Sequence, residues 1–259
     1  MANVAESVQI GIFGEYDPGS PTLPAVEKSI QHAAAELKIA VAAQWLPTVS
    51  LLDPAIDKKL EAFDGLWAAP GSPYKSFDGM LRGIEFARRR DWPFLGTCGG
   101  CQYTLIECAR NVLGIKDADS AENNSSSQNV LISPAACAVP DRKSGAPKLS
   151  GAISGIRIRP GSYLHSFYKK DVVSEEFFCN FELNPEFVWA VIEAGFPIVA
   201  RGAQGEVRAI ESPAHRFFIA TLFQPQLSSK PNKAHPIIVE FLRAAAKWKT
   251  QKLEDSVLE

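Results

Sequence analysis

The stretch Pro93–Gln102, "PFLGTCGGCQ", constrains the fold more than any other part of the chain. A short apolar run ends at Thr97, and Gly96, Gly99 and Gly100 crowd Cys98. A helical pattern then places Leu105, Cys108, Val112 and Leu113 on or near one apolar side and stops at Gly114. A strand that turns this abruptly into a helix strains its central residue and needs neighbours without a Cβ. A thiol held there sits at a helix N-terminus, where the dipole and the free N–H groups favour thiolate. Two readings stand: an activated nucleophile, or a buried structural cysteine in a glycine-rich turn. Strand, G-x-C-x-G and helix together favour the nucleophile.

Around this stretch, strand and helix signals alternate. "VQIGIF" is followed by a Gly/Pro-rich loop and by "LPAVEKSIQHAAAEL", with Val26, Ile30, Ala33 and Leu37 at helical spacing. "IAVAAQWL", "FDGLWAAPGSP" and "WPFLGT" read as strands and "FDGMLRGIEFARRR" as a helix. The alternation predicts βαβ units and a mostly parallel, buried sheet. Asp117 to Lys148 reads as a long excursion with one short strand, "VLIS". Strands dominate from Ile156 onward ("IRIR", "FFCNFEL", "PIVARG", "EVRAIES", "FFIATLF"), with the helix "PEFVWAVIEAG" among them. "HPIIVEFLRAAAKWK" closes the chain as an amphipathic helix before a frayed, charged tail. We expect one α/β domain over residues 1–259, with its core at about 7–248 and a flavodoxin-like three-layer sandwich.

Composition narrows the partners. With 27 basic and 29 acidic residues mixed along the chain, no electrostatic footprint suggests nucleic acid or an anionic membrane. No apolar run approaches the roughly 18 residues of a membrane span, and the first residues lack a basic leader, so the expected location is the cytoplasm. The five cysteines read as free thiols. No metal-ligand spacing and no phosphate loop is present, so no cofactor is expected and a small-molecule ligand is the default.

The run from Pro93 to Glu122 resembles the nucleophile region of class I glutamine amidotransferases, specifically the glutaminase domain of CTP synthase. It also resembles the stand-alone proteins related to that C-terminal region. The similarity covers nearly the whole chain, with "FDGLWAAPGSP" matching the oxyanion-loop segment. The resemblance implies that Cys98 is the nucleophile. It likewise implies that the backbone N–H groups of Gly99 and of the Gly71/Ser72 turn form the oxyanion hole. Gln102 and Glu122 fall on positions that hold the glutamine substrate, and Glu122 suits a substrate amine.

Two departures stand out. Where the family carries its catalytic His and Glu in an "H-P-E" segment, this chain has Gln224, Pro225 and Gln226, and an amide side chain cannot serve as general base near neutral pH. Where the CTP synthase domain has an Arg- and Tyr-bearing clamp for the glutamine carboxylate, this chain has "EFFCNF", with Asn180 and Phe181 at the replaced positions. Glutamine is therefore a poor candidate substrate, and Asn180, Phe181, Gln224 and Gln226 are expected to line a rebuilt pocket. Of the four histidines, His32, His215 and His235 read as surface residues, whereas His165 lies in a segment that borders the site in the family and is the candidate base. Tyr168, Glu175 and Glu176 are weaker candidates. Cys101 either resolves a mixed disulfide with Cys98 or only fills space, and Cys179 could face the same pocket.

Three functions follow: a repurposed cysteine-dependent hydrolase or transferase acting on a small amine- or amide-bearing molecule, a catalytically silent binding or regulatory module, and a thiol redox protein. An ammonia-delivering role would need a separate synthetase partner, and a homo-oligomer is the other partnership expected.

Overall fold

A computed structural model describes residues 7–135, 139–140 and 147–258. The first half alternates β1 (Val8–Phe13), α1 (Leu23–Leu37), β2 (Val41–Leu46), α2 (Ile56–Leu60), β3 (Gly65–Ala68), α3 (Phe77–Arg89), β4 (Phe94–Thr97) and α4 (Gly99–Asn111). Three short strands follow, β5 (Asp119–Ser120), β6 (Val130–Pro134) and β7 (Val139–Pro140), and then the long β8 (Pro147–Ile158). The second half adds α5 (Tyr163–Tyr168), β9 (Val172–Cys179), β10 (Phe181–Leu183), α6 (Val188–Glu193), β11 (Ile198–Arg201), β12 (Val207–Glu211), β13 (Phe218–Thr221), α7 (Pro225–Ser228) and α8 (Pro236–Leu258).

The main sheet runs β2-β1-β3-β4-β13-β12-β11-β8-β7, with β9 paired along β8. Its first five strands are parallel, in the flavodoxin-like order. The strands beyond β13 are antiparallel. β10, β6 and β5 form a separate small sheet.

Every residue of β3, β4 and β13 is buried, as strands covered on both faces require. α8 covers the face carrying Gly65 and Trp67, where Phe241 meets the Trp67 ring edge-on at 6.0 Å. α3 and α4 cover the other face: a Cβ on Gly83 would meet Phe13 at 2.8 Å, and one on Gly100 would meet Ala68 O at 2.0 Å. The apolar stripe of α1 buries Val26, Ile30, Ala33 and Ala34. In α3 the Ser76 side chain caps the helix by accepting from Gly79 N at 3.0 Å, and Arg88 and Arg89 complement its C-terminal end.

Several expectations change. The closing helix runs to Leu258, so the charged tail continues the helix. "FFCNFEL" is broken at Asn180, where the chain leaves β9 on the main sheet for β10 on the small one. "VLIS" is the strand β6, while much of the "PDRKSGAPK" run lies outside the described residues, as does Cys137.

Candidate functional site

β3, β4 and β13 end side by side, and the segments leaving their C-terminal ends build the site. Cys98 follows β4 directly and opens α4 with φ +52° and ψ −112°, a conformation a side chain adopts only when its surroundings hold it there. Its N–H is fixed to Thr221 O at 2.8 Å. The glycines beside it are sterically required. A Cβ on Gly99 would lie 2.9 Å from Ser72 Cβ and from the Tyr74 hydroxyl, and the Gly100 approach to Ala68 admits none. The Gly71/Ser72 turn after β3 is thereby pressed against the start of α4. Gly71 has φ +126°, and a Cβ there would face open space.

The Cys98 sulfur, 7% exposed by residue, has two partners: Phe178 O at 3.4 Å and the Cys179 sulfur at 3.4 Å. Cys179 ends β9, 81 positions away. Its sulfur also accepts from Gln102 Nε2 at 3.1 Å and lies 3.2 Å from Phe181 O. Gln102 Nε2 also donates to Phe181 O at 3.2 Å, and Ser72 Oγ donates to Gln102 Oε1 at 3.4 Å. Cys98, Gly99, Gly71, Ser72, Gln102 and Phe181 therefore come together.

Gln224 and Gln226, both buried, follow β13. Gln226 Nε2 donates to Gln224 Oε1 at 2.8 Å, and Gln224 Nε2 donates to Phe178 O at 3.0 Å. The pair thus ends on the same carbonyl that the Cys98 sulfur approaches, but it brings no proton-accepting nitrogen. Gln226 Oε1 and Glu122 Oε2 are buried acceptors without a partner.

The electrostatics follow from burial and from the sulfur contact. The S–H that Cys98 donates to Cys179, together with burial, pushes the Cys98 thiol well above its ordinary value, against the Gly99 N–H. The same bond holds Cys179 below the ordinary thiol value despite burial. The bond between the two sulfurs shifts Cys98 up and Cys179 down, so their titration belongs to the pair. Glu122 is raised by desolvation, which the nearby Ser72 hydroxyl partly offsets. The Tyr103 hydroxyl, bonded to Asn123, is pushed up to about 12 by burial.

Other expected residues stand elsewhere. The sulfur in contact with Cys98 is that of Cys179, whereas Cys101 is 1% exposed, packs in the apolar core and is raised by burial. Asn180 is exposed between β9 and β10, and its carbonyl accepts from Ala135 N. Phe181 enters the site through its carbonyl, its side chain being packed against the core. His165, on α5, bonds Asp171 Oδ1 at 2.9 Å, and none of its hydrogen bonds reaches Cys98.

His235 is not a surface residue. At 5% exposure it lies 3.2 Å from both Glu175 Oε1 and the Tyr168 hydroxyl, so two weaker candidate bases belong to a buried cluster of their own. His215 is half-buried and bonded to Ser212 and Arg88 O. The Phe178 carbonyl escaped the sequence reading because a main-chain oxygen leaves no residue signal. Among the described residues, no group of three His, Cys, Asp or Glu is placed to hold a metal ion, and no helix is long and apolar enough to cross a membrane.

The model of the family "Glutamine amidotransferase class-I" matches residues 24–244. The chain is 31% identical over 253 residues to CTP synthase of Pyrococcus abyssi, covering 95% of this chain and 46% of that one. It is 31% identical over 255 residues to CTP synthase of Microcystis aeruginosa, covering 97% and 46% respectively. The chain thus spans about half the length of the curated relatives it matches. Among solved structures, the Trypanosoma brucei CTPS glutaminase domain with bound acivicin superposes with a TM-score of 0.84 at 28% identity, covering 93% of this chain and 94% of that one.

Proposed function

This chain belongs to the class I glutamine amidotransferase family, and on that premise we propose that it is a cysteine-dependent hydrolase or transferase acting on a small amine- or amide-bearing molecule other than glutamine. One observation carries the reading: the Cys98 S–H donates to the Cys179 sulfur at 3.4 Å, while the positions of the family His and Glu hold the amides of Gln224 and Gln226. Cys179 is therefore the proton acceptor within reach of the nucleophile. As the Cys98 sulfur attacks the amide carbon, its proton passes to Cys179, and the carbonyl oxygen takes up charge toward the N–H groups of Gly99 and of the Gly71/Ser72 turn. The Cys179 thiol then protonates the departing amine, and water or a second amine resolves the thioester.

The ligand class follows from the polar groups. Glu122 brings a carboxylate whose Oε2 is buried and unpartnered, which suits an ammonium group. At the clamp positions stand Asn180, exposed, and Phe181, turned to the core, so no cation there grips an α-carboxylate. A separate synthetase would be required only if the released amine were delivered onward. The raised Cys98 thiol favours a second reading, a ligand-binding module without turnover.

The test compares L-glutamine with 4-aminobutanamide, the same skeleton without the α-carboxylate. The proposal expects ammonia from 4-aminobutanamide, lost in Cys98→Ala, and little or none from glutamine. Preference for glutamine, or turnover that survives Cys98→Ala, overturns it. Binding of 4-aminobutanamide without ammonia release overturns it in favour of the second reading.

A further inference from the structure

Two sulfurs from distant parts of the chain touch in the buried floor of the site. Cys98 comes from the α4 elbow and Cys179 from the end of β9, and their sulfurs lie 3.4 Å apart. No metal-ligand cluster accounts for the contact among the described residues. Gln102 donates to Cys179 from one side, and Phe178 O and Phe181 O flank the pair, so both sulfurs are held by bonds to fixed groups. A disulfide needs an S–S distance of about 2.05 Å, so closing this contact asks for a movement of little more than an ångström shared by two side chains. Cys98 and Cys179 are 7% and 6% exposed, which excludes bulky oxidants and admits a small one.

We infer that Cys98 and Cys179 form a redox site that takes a small hydroperoxide as its substrate and closes to an intramolecular disulfide, with Cys179 and not Cys101 as the resolving sulfur. As its proton passes to Cys179, the Cys98 sulfur attacks one peroxide oxygen. The O–O bond breaks, hydroxide leaves and gains a proton to become water, and the sulfur becomes a sulfenic acid. The second sulfur attacks that sulfenic sulfur. The S–S bond forms, the S–O bond breaks, and hydroxide leaves as water with the proton of the second thiol. Two thiols and one hydrogen peroxide give one disulfide and two waters: the sulfur pair loses two electrons and the peroxide gains them. Closure ties up the nucleophile, and that this silences amide chemistry rests on the function proposed above. Formation of the disulfide itself does not.

The test treats the reduced full chain with hydrogen peroxide and maps it by non-reducing peptide mass spectrometry. We expect a Cys98–Cys179 crosslink two hydrogens lighter than the free peptides, reversed by dithiothreitol and formed equally in Cys101→Ser, with Cys108 unmodified. In Cys179→Ser the Cys98 sulfenic acid should persist and be trapped by dimedone. If that variant fails to fold, wild type and Cys101→Ser decide. A Cys98–Cys101 crosslink, direct passage of wild-type Cys98 to sulfinic acid, or absence of oxidation at both sulfurs overturns the inference. Because the crosslink is read by mass, it can form in a protein that hydrolyses no amide and can fail in one that does. The two proposals therefore fail separately.

Discussion

At the scale of single residues, the site is defined by acceptors that lack donors and by a hydrogen bond between two sulfurs. Glu122 makes the sharpest prediction. Its carboxyl is raised by burial, so the folded state binds that proton more tightly than the unfolded chain. Stability should therefore fall as pH rises from the unfolded carboxyl range through the folded value, and level off above it. In Glu122→Gln that slope disappears from denaturant titrations, while affinity for 4-aminobutanamide drops by about 10- to 100-fold, the range of a charge-assisted hydrogen bond. Unchanged affinity would remove Glu122 from the binding site. That Cys98, Gln102, Gln224 and Gln226 belong to one cluster was legible in the sequence, because their residue types mark the positions the resemblance picks out. The choice of Cys179 over Cys101 could not be read, because proximity across 81 positions depends on where β9 ends.

At the scale of elements, the β4–α4 elbow and the α3–α4 pair position Cys98. Gly100 lets α4 approach β3, and a Cβ there would lie 2.0 Å from Ala68 O, a fixed backbone atom. Gly100→Ala should cost about 1–3 kcal/mol in chemical denaturation and displace Cys98, lowering its labelling rate even in the folded protein. A neutral outcome on both readouts would mean the elbow is not held by this contact.

Behind the elbow, Arg88 on α3 grips the fully buried Glu107 on α4 with Nε at 2.8 Å and Nη2 at 2.7 Å. Arg88→Ala leaves that carboxylate buried without its cation and should cost about 3–5 kcal/mol, and replacing both residues by Met and Leu should recover most of it. The helices of the first half were legible from their apolar spacing. The short turns α5 and α7 carry no such period, and the extension of α8 ran against the reading of its charged residues as a tail.

At the scale of the whole molecule, two half-sheets meet at the site. The five parallel strands carry the elbow, the Gly71/Ser72 turn and the Gln224/Gln226 segment; the antiparallel half carries Phe178 and Cys179. The parallel half was legible because its strands are continuous apolar runs between helices. The second half was legible as strands, but not in its order, because β8 and β9 pair as an outer hairpin while β10 crosses to the small sheet. The proton partner of Cys98 thus exists only once both halves are joined.

The most direct test of the central claim, that this rebuilt site keeps a working thiol, is the pH dependence of iodoacetamide labelling at Cys98 in the reduced protein. Buried Cys108, raised by desolvation, is the internal control. The account predicts labelling of Cys98 faster than Cys108, with a rate that rises only above the free-cysteine value of about 8.5, because the S–H donated to Cys179 and burial hold the Cys98 thiol up. A Cys98 rate as slow as that of Cys108, with no rise in that range, would contradict it.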